Sequence, residues 1–154
     1  MNRLIAFLFV TSFLMSSCII GSVYQGFPLD PPLGLIAYQA SSNSIKLEWW
    51  GNNSESYFSG YVVFITTNSN DLYTNRDSTN HFDKPYITNS TGSLPTIRAP
   101  TTTVTSKYTY QVNTLPNGSN LVVGVTYYIA VSAYSASKST FSPLSNITNI
   151  TLTN

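Results

Sequence analysis

From Tyr127 to Tyr134 the side chains alternate, with Tyr127, Ile129, Val131 and Ala133 in one phase and Tyr128, Ala130, Ser132 and Tyr134 in the other. Successive residues of a strand point to opposite faces, so a period of two predicts a strand that lays one face on a core. The pattern recurs. Ile45, Leu47 and Trp49 alternate with Lys46, Glu48 and Trp50; Tyr61, Val63 and Ile65 alternate with Val62, Phe64 and Thr66; and Tyr108, Tyr110 and Val112 alternate with Thr109 and Gln111. Turn-forming stretches lie between these runs, Gly51-Asn52-Asn53-Ser54 and Leu115-Pro116-Asn117-Gly118 among them. No amphipathic helical repeat follows the first twenty residues, and Tyr, Phe, Thr, Val and Ile are abundant, so an all-β chain is expected.

At 154 residues and 42% hydrophobic content the chain supports one core and one domain. Only 8% of residues are charged, against roughly 25% in ordinary soluble proteins. Asn, Ser and Thr make up the difference, so solubility comes from neutral hydrogen-bonding groups. The few Lys and Arg form no run, which argues against a nucleic-acid partner.

Residues suited to catalysis are sparse, and neither an enzyme nor a cofactor is expected. The single histidine, His81, has no second imidazole or thiol to build a metal site or nucleophilic relay, and in its polar stretch it reads as a solvated loop residue. Asp71, Asp77 and Asp83 recur every six residues and carry oxygens suited to calcium, but their spacing matches no known calcium loop. With two Glu in the chain, Glu48 and Glu55, a paired-carboxylate hydrolase is disfavoured. Gly-rich phosphate loops and Gly-x-Ser-x-Gly elbows are absent. Asn-x-Ser/Thr sequons at Asn52, Asn89, Asn117, Asn146 and Asn149 follow from the Asn, Ser and Thr content.

The first residues carry a different signal. Met1-Asn2-Arg3 precedes an apolar run of twelve residues, Leu4 to Met15, too short for the ~20 needed to span a bilayer and in proportion for a secretory signal peptide over residues 1–17. Leu14-Met15-Ser16-Ser17-Cys18, with the chain's one cysteine, resembles a relaxed bacterial lipobox. That resemblance implies an acylated Cys18 as mature N-terminus, a lipid bilayer as partner, and a tether over residues 18–30. The alternative is an ordinary signal peptide cleaved near Ser17, leaving a free thiol. Each buried methylene contributes about 0.8 kcal/mol, so two or three acyl chains anchor a domain stably. Ile19 carries no acidic retention signal, and either the cell membrane or the outer membrane, including surface exposure, is compatible. Loss of Arg3 leaves six basic against six acidic residues, a neutral mature chain.

From Pro31 onward the order of elements resembles a fibronectin type III domain. Pro32, Leu35 and Ala37 stand at the start; Trp49 closes the second strand, Gly60-Tyr61 opens the third, and Leu121 precedes Tyr127, Ile129, Val131 and Ala133. Ser142-Pro143 then precedes the last strand. The resemblance implies an immunoglobulin-like sandwich of about seven antiparallel strands over residues 31–154, with Trp49, Tyr61, Leu121, Tyr127 and Val131 in its core. Tyr127 becomes the tyrosine corner, its hydroxyl returned to upstream backbone. The departure is a polar stretch at about 68–105, which lacks periodicity apart from Pro85-Tyr86-Ile87, a candidate short edge strand.

If Tyr61, Val63, Tyr127 and Ile129 face inward, Val62, Phe64, Tyr128 and Tyr134 face outward and form a candidate contact surface. Either a partner covers them or the 68–105 insertion folds back over them. The expected function is a membrane-anchored, non-catalytic binding module of the bacterial envelope or cell surface, with a protein or carbohydrate ligand. The alternatives are a structural or assembly subunit of an envelope complex and, behind it, a small metal-dependent hydrolase built on the insertion.

Overall fold

A computed structural model describes residues 28–154. The predicted signal peptide, Cys18 and most of the tether lie outside the described residues. Strands β1 (Leu33–Ser41), β2 (Ser44–Gly51) and β5 (Ser106–Val112) form one antiparallel sheet in the order β1-β2-β5. The second sheet runs β4-β3-β6-β7, from β3 (Gly60–Thr66), β4 (Ile97–Arg98), β6 (Thr126–Ser135) and β7 (Thr140–Phe141), with β8 (Thr148–Thr151) also on β6. Four-residue helix α1 (Asn70–Tyr73) lies between β3 and β4.

β7 and β8 pair with opposite ends of β6 and act as one edge strand interrupted at Pro143. Counted that way the strands number seven, and the layers make an immunoglobulin-like sandwich of the fibronectin type III kind. Serine hydroxyls mend the interruption: the Ala133 N–H donates to Ser142 Oγ at 2.9 Å and the Val131 N–H to Ser145 Oγ at 3.0 Å. Proline removes a ladder donor and bends the strand away, and each hydroxyl accepts where a carbonyl has withdrawn.

The alternating residues meet between the sheets. Trp49, Tyr61, Leu121, Tyr127 and Val131 are all buried in one core with Ile45, Leu47, Val63, Ile65 and Ile129. Trp49 and Tyr61 meet edge-to-face at 5.7 Å, and Tyr61 meets Tyr108 at 4.7 Å. Full burial of each such side chain contributes about 1.5–3 kcal/mol. Burial raises the Tyr61 phenol well above its usual range, and its hydroxyl donates to Asn53 Oδ1 at 2.9 Å. Tyr127 accepts from the Val122 N–H at 2.7 Å, the geometry of a tyrosine corner.

Amide side chains join the sheets at one edge. Asn146 Oδ1 accepts from the Leu35 N–H (2.9 Å) while its Nδ2 donates to the Leu35 carbonyl (2.8 Å), as a neighbouring strand would. Gln39 does the same for Thr153, donating to its carbonyl at 2.7 Å and accepting from its N–H at 2.9 Å. On the free edge of β1, the Leu35 backbone is thus satisfied by a side-chain amide in place of a further strand, and Gln39 ties the chain's last residues to that edge.

Candidate functional site

The outer face of the β3-β6 sheet is not an open contact surface. Val62 and Phe64 are fully buried, Tyr134 is nearly so, and Tyr128 is half-buried. Val62, Phe64 and Tyr134 belong to a second core with Leu72, Ala130, Phe141 and Leu144, and Tyr128 packs against it, so the candidate interface is corrected to a covered face. The cover is the insertion together with the segment around β7. Its backbone is tied down by the Phe141 N–H to the Thr79 carbonyl (3.0 Å) and the Leu144 N–H to the Arg76 carbonyl (3.1 Å). Pro85-Tyr86-Ile87 runs beside β3 as anticipated, with the Ile87 N–H on the Val63 carbonyl at 2.8 Å.

His81 is the second correction. It is completely buried, with Phe64 at 5.8 Å and Phe141 at 5.6 Å between ring centroids. Nε2 lies 3.2 Å from the Ser142 carbonyl, while Nδ1 is buried with no partner. Burial first, and the Lys84 charge second, push its pKa down from 6.5 to about 4, so it sits neutral in the core at pH 7. Phe82 beside it packs on Phe141 at 4.9 Å and on Tyr134 at 6.3 Å, half exposed. Two aromatic rings and a buried backbone carbonyl, rather than a solvated loop, receive this histidine.

Lys84 ends α1. Its ammonium donates to the carbonyls of Asp71 (2.8 Å) and Thr74 (2.5 Å), which otherwise lack helical partners. The Asp71 carboxylate is engaged by the Thr66 hydroxyl at 2.6 Å and by Asn68 Nδ2 at 3.1 Å. Asp77 lies 3.9 Å from Arg76, and Asp83 lines an open 590 Å³ cleft with Asp71 and Lys84. Among the described residues no three His, Cys, Asp or Glu side chains converge as metal ligands.

The exposed apolar surface lies on the opposite side of the molecule, on the outer face of β1-β2-β5. Register places Leu33 beside Trp50, Ile36 beside Glu48 and Tyr38 beside Lys46, with Lys107, Thr109 and Gln111 of β5 completing the rows. Leu33, Ile36 and Trp50 are 63%, 51% and 45% exposed, and Tyr38 is exposed beside them. Glu48 sits at the centre, taking the Lys107 ammonium at 2.5 Å, the Lys46 ammonium at 3.0 Å and the Tyr38 hydroxyl. The hydrogen bond from Lys107, then those from Tyr38 and Lys46, hold its carboxyl down at about 2, and the same bond to Glu48 pushes the Tyr38 phenol up to about 12.

Local geometry presents Trp50. A bulge separates Leu33 from Ile36, and Gly34 within it adopts φ +62, a conformation that a side chain strains. The Trp50 ring closes over the bulge, 3.6 Å from where a Gly34 Cβ would stand. The sequence carried a usable signal for this face: Trp50 lies in the polar phase of its strand, with Lys46 and Glu48.

The chain is an antiparallel sandwich with a filled interior and one exposed amphipathic face, the architecture of a fibronectin type III-like domain. No protein-family model matches the chain, and no curated protein matches it. Among solved structures it is similar to the FN1-FN3 domains of chicken CNTN1, at 16% identity and TM-score 0.49, over 82% of this chain and 33% of that one. Domains A168-A170 of titin show 17% identity and TM-score 0.42 over 82% and 33%. The spore cortex lytic enzyme SleM of Clostridium perfringens shows 20% and 0.39 over 82% and 29%, so this chain spans about a third of these proteins' chains or less.

Proposed function

We propose that this chain is a lipid-anchored, non-catalytic contact module of the bacterial envelope or cell surface. It is held through acylated Cys18 and works through the outer face of β1-β2-β5. The observation that carries the reading is that face itself: Leu33, Ile36, Tyr38 and Trp50 stand exposed on one side of one sheet around a neutralised Glu48. Isolated exposed apolar residues are ordinary, whereas a contiguous group rimmed by polar residues marks a contact surface. A pleated, flat face suits an extended partner rather than an enclosed small molecule.

The anchor is tested by intact-mass analysis of the chain extracted from membranes in detergent. A diacylglyceryl Cys18 at the N-terminus is expected, and an unmodified Ser or Cys start would remove the anchor from the proposal. The face is tested by Ile36→Ser with Trp50→Ser: association is lost while the chain stays folded, with a much smaller fall in thermal midpoint than a core substitution such as Phe64→Ala causes. A variant that keeps its associations would move the contact elsewhere.

A further inference from the structure

We infer that the partner of the outer β1-β2-β5 face is the bilayer surface that the anchor reaches, with the domain lying on that face and its insertion turned away. This rests on the lipid-anchored reading above and names what the face touches.

Three observations lead there. The first is reach. Pro28 opens the described chain, its carbonyl accepting from the Tyr57 hydroxyl at 2.8 Å, and the Asp30 carbonyl accepts from Asn53 Nδ2 at 3.0 Å. The chain thus enters at the β2-β3 connection, the end of the sheet where Leu33 and Trp50 stand. Pro28 follows Cys18 by ten residues in sequence, at most about 35 Å of extended chain. That is close to the ~30 Å length of β1 itself. A domain held so near experiences a local lipid concentration at which a weak face is occupied.

The second is composition. Aliphatic Leu33 and Ile36, with the amphipathic rings of Tyr38 and Trp50, form the mixture that settles at the boundary of acyl chains and headgroups. The third is charge. Two ammoniums, Lys46 and Lys107, serve one carboxylate, and both are about half exposed. Their remaining donors face the same side as Trp50 and match lipid phosphates, while Glu48 has no free charge to repel them.

The two tryptophans allow a direct test. Trp49 is fully buried against Tyr61 and Tyr108, and Trp50 alone meets the outside. The full lipidated chain is reconstituted into phosphatidylethanolamine–phosphatidylglycerol vesicles, with or without brominated acyl chains, and vesicle flotation is scored alongside tryptophan emission. In brominated vesicles the emission is expected to fall to about half, and Trp50→Phe is expected to abolish the difference while still floating. A wild-type chain that floats with equal emission in both vesicles overturns this inference and leaves the anchor intact, and rescue of a Trp50 shift by envelope protein or glycan would then assign the face to that partner. A chain that does not float overturns the anchor, and this inference with it.

Discussion

Tyr127 illustrates how little a residue's type says about its cost. Its ring is buried between the sheets and its hydroxyl receives the Val122 N–H. Tyr127→Phe keeps the ring and removes one hydrogen bond; because Val122 is exposed, the freed N–H meets water, and a loss of about 1 kcal/mol in urea unfolding is expected. His81 behaves differently, since its charge state is the variable. Its pKa is about 4 in the folded chain against 6.5 when free, so between those values the unfolded chain binds the extra proton. Stability therefore rises with pH across that window and is lost as pH falls through it. Lys84 opposes protonation, whereas Asp83 and the Ser142 carbonyl favour it. Denaturation followed from pH 7 to pH 4 is expected to show the decline, and His81→Leu to flatten it. Glu48 acts lower: its folded pKa lies below the usual 4.5, so its contribution is present above that pH and is lost as pH falls towards 2.

At the scale of elements, the covering of β3 is the decisive event. Every residue of β3 is buried, because Tyr61, Val63 and Ile65 face the sandwich while Val62 and Phe64 face the insertion. A strand apolar in both phases is a strand covered on both faces. Phe64→Ala is expected to cost about 3–5 kcal/mol, measured as a lowered denaturation midpoint. An exposed Phe64 would lose almost nothing. The opposite edge depends on Asn146, whose one amide serves both backbone groups of buried Leu35. Asn146→Ala leaves them unpaired, at about 1–3 kcal/mol, and hydrogen exchange along β1 is expected to accelerate before global unfolding.

Across the whole molecule the two outer faces have opposite fates. One is roofed by Leu72, Tyr86 and Leu94 of the insertion and by Phe141 and Leu144; the other carries Leu33, Ile36 and Trp50 in the open. Surface substitutions away from packing change stability by about 0.5 kcal/mol or less. Trp50 and Ile36 are each about half covered, so Ile36→Ser with Trp50→Ser should lower the denaturation midpoint far less than Phe64→Ala does, while removing the contact function. That contrast separates a contact face from a core face within one domain.

Alternation alone was enough to specify β2, β3, β5 and β6 and their inward residues, because the period of two is local and each phase declares its own polarity. Trp49, Tyr61 and Tyr127 lie in the core for that reason. The same alternation is silent on what lies beyond an outward phase. Phe64 and Trp50 are both aromatic residues in that phase, yet one is fully buried and the other 45% exposed. The difference comes from a segment without periodicity, closed by long-range bonds such as Phe141 to Thr79. His81 followed the same route, polar by neighbourhood in the chain and apolar by neighbourhood in space. Strand identity is written in residues two apart, whereas coverage depends on partners 60 residues away, as Thr79 O is to Thr140 Oγ1 at a separation of 61, and only the folded chain brings those together.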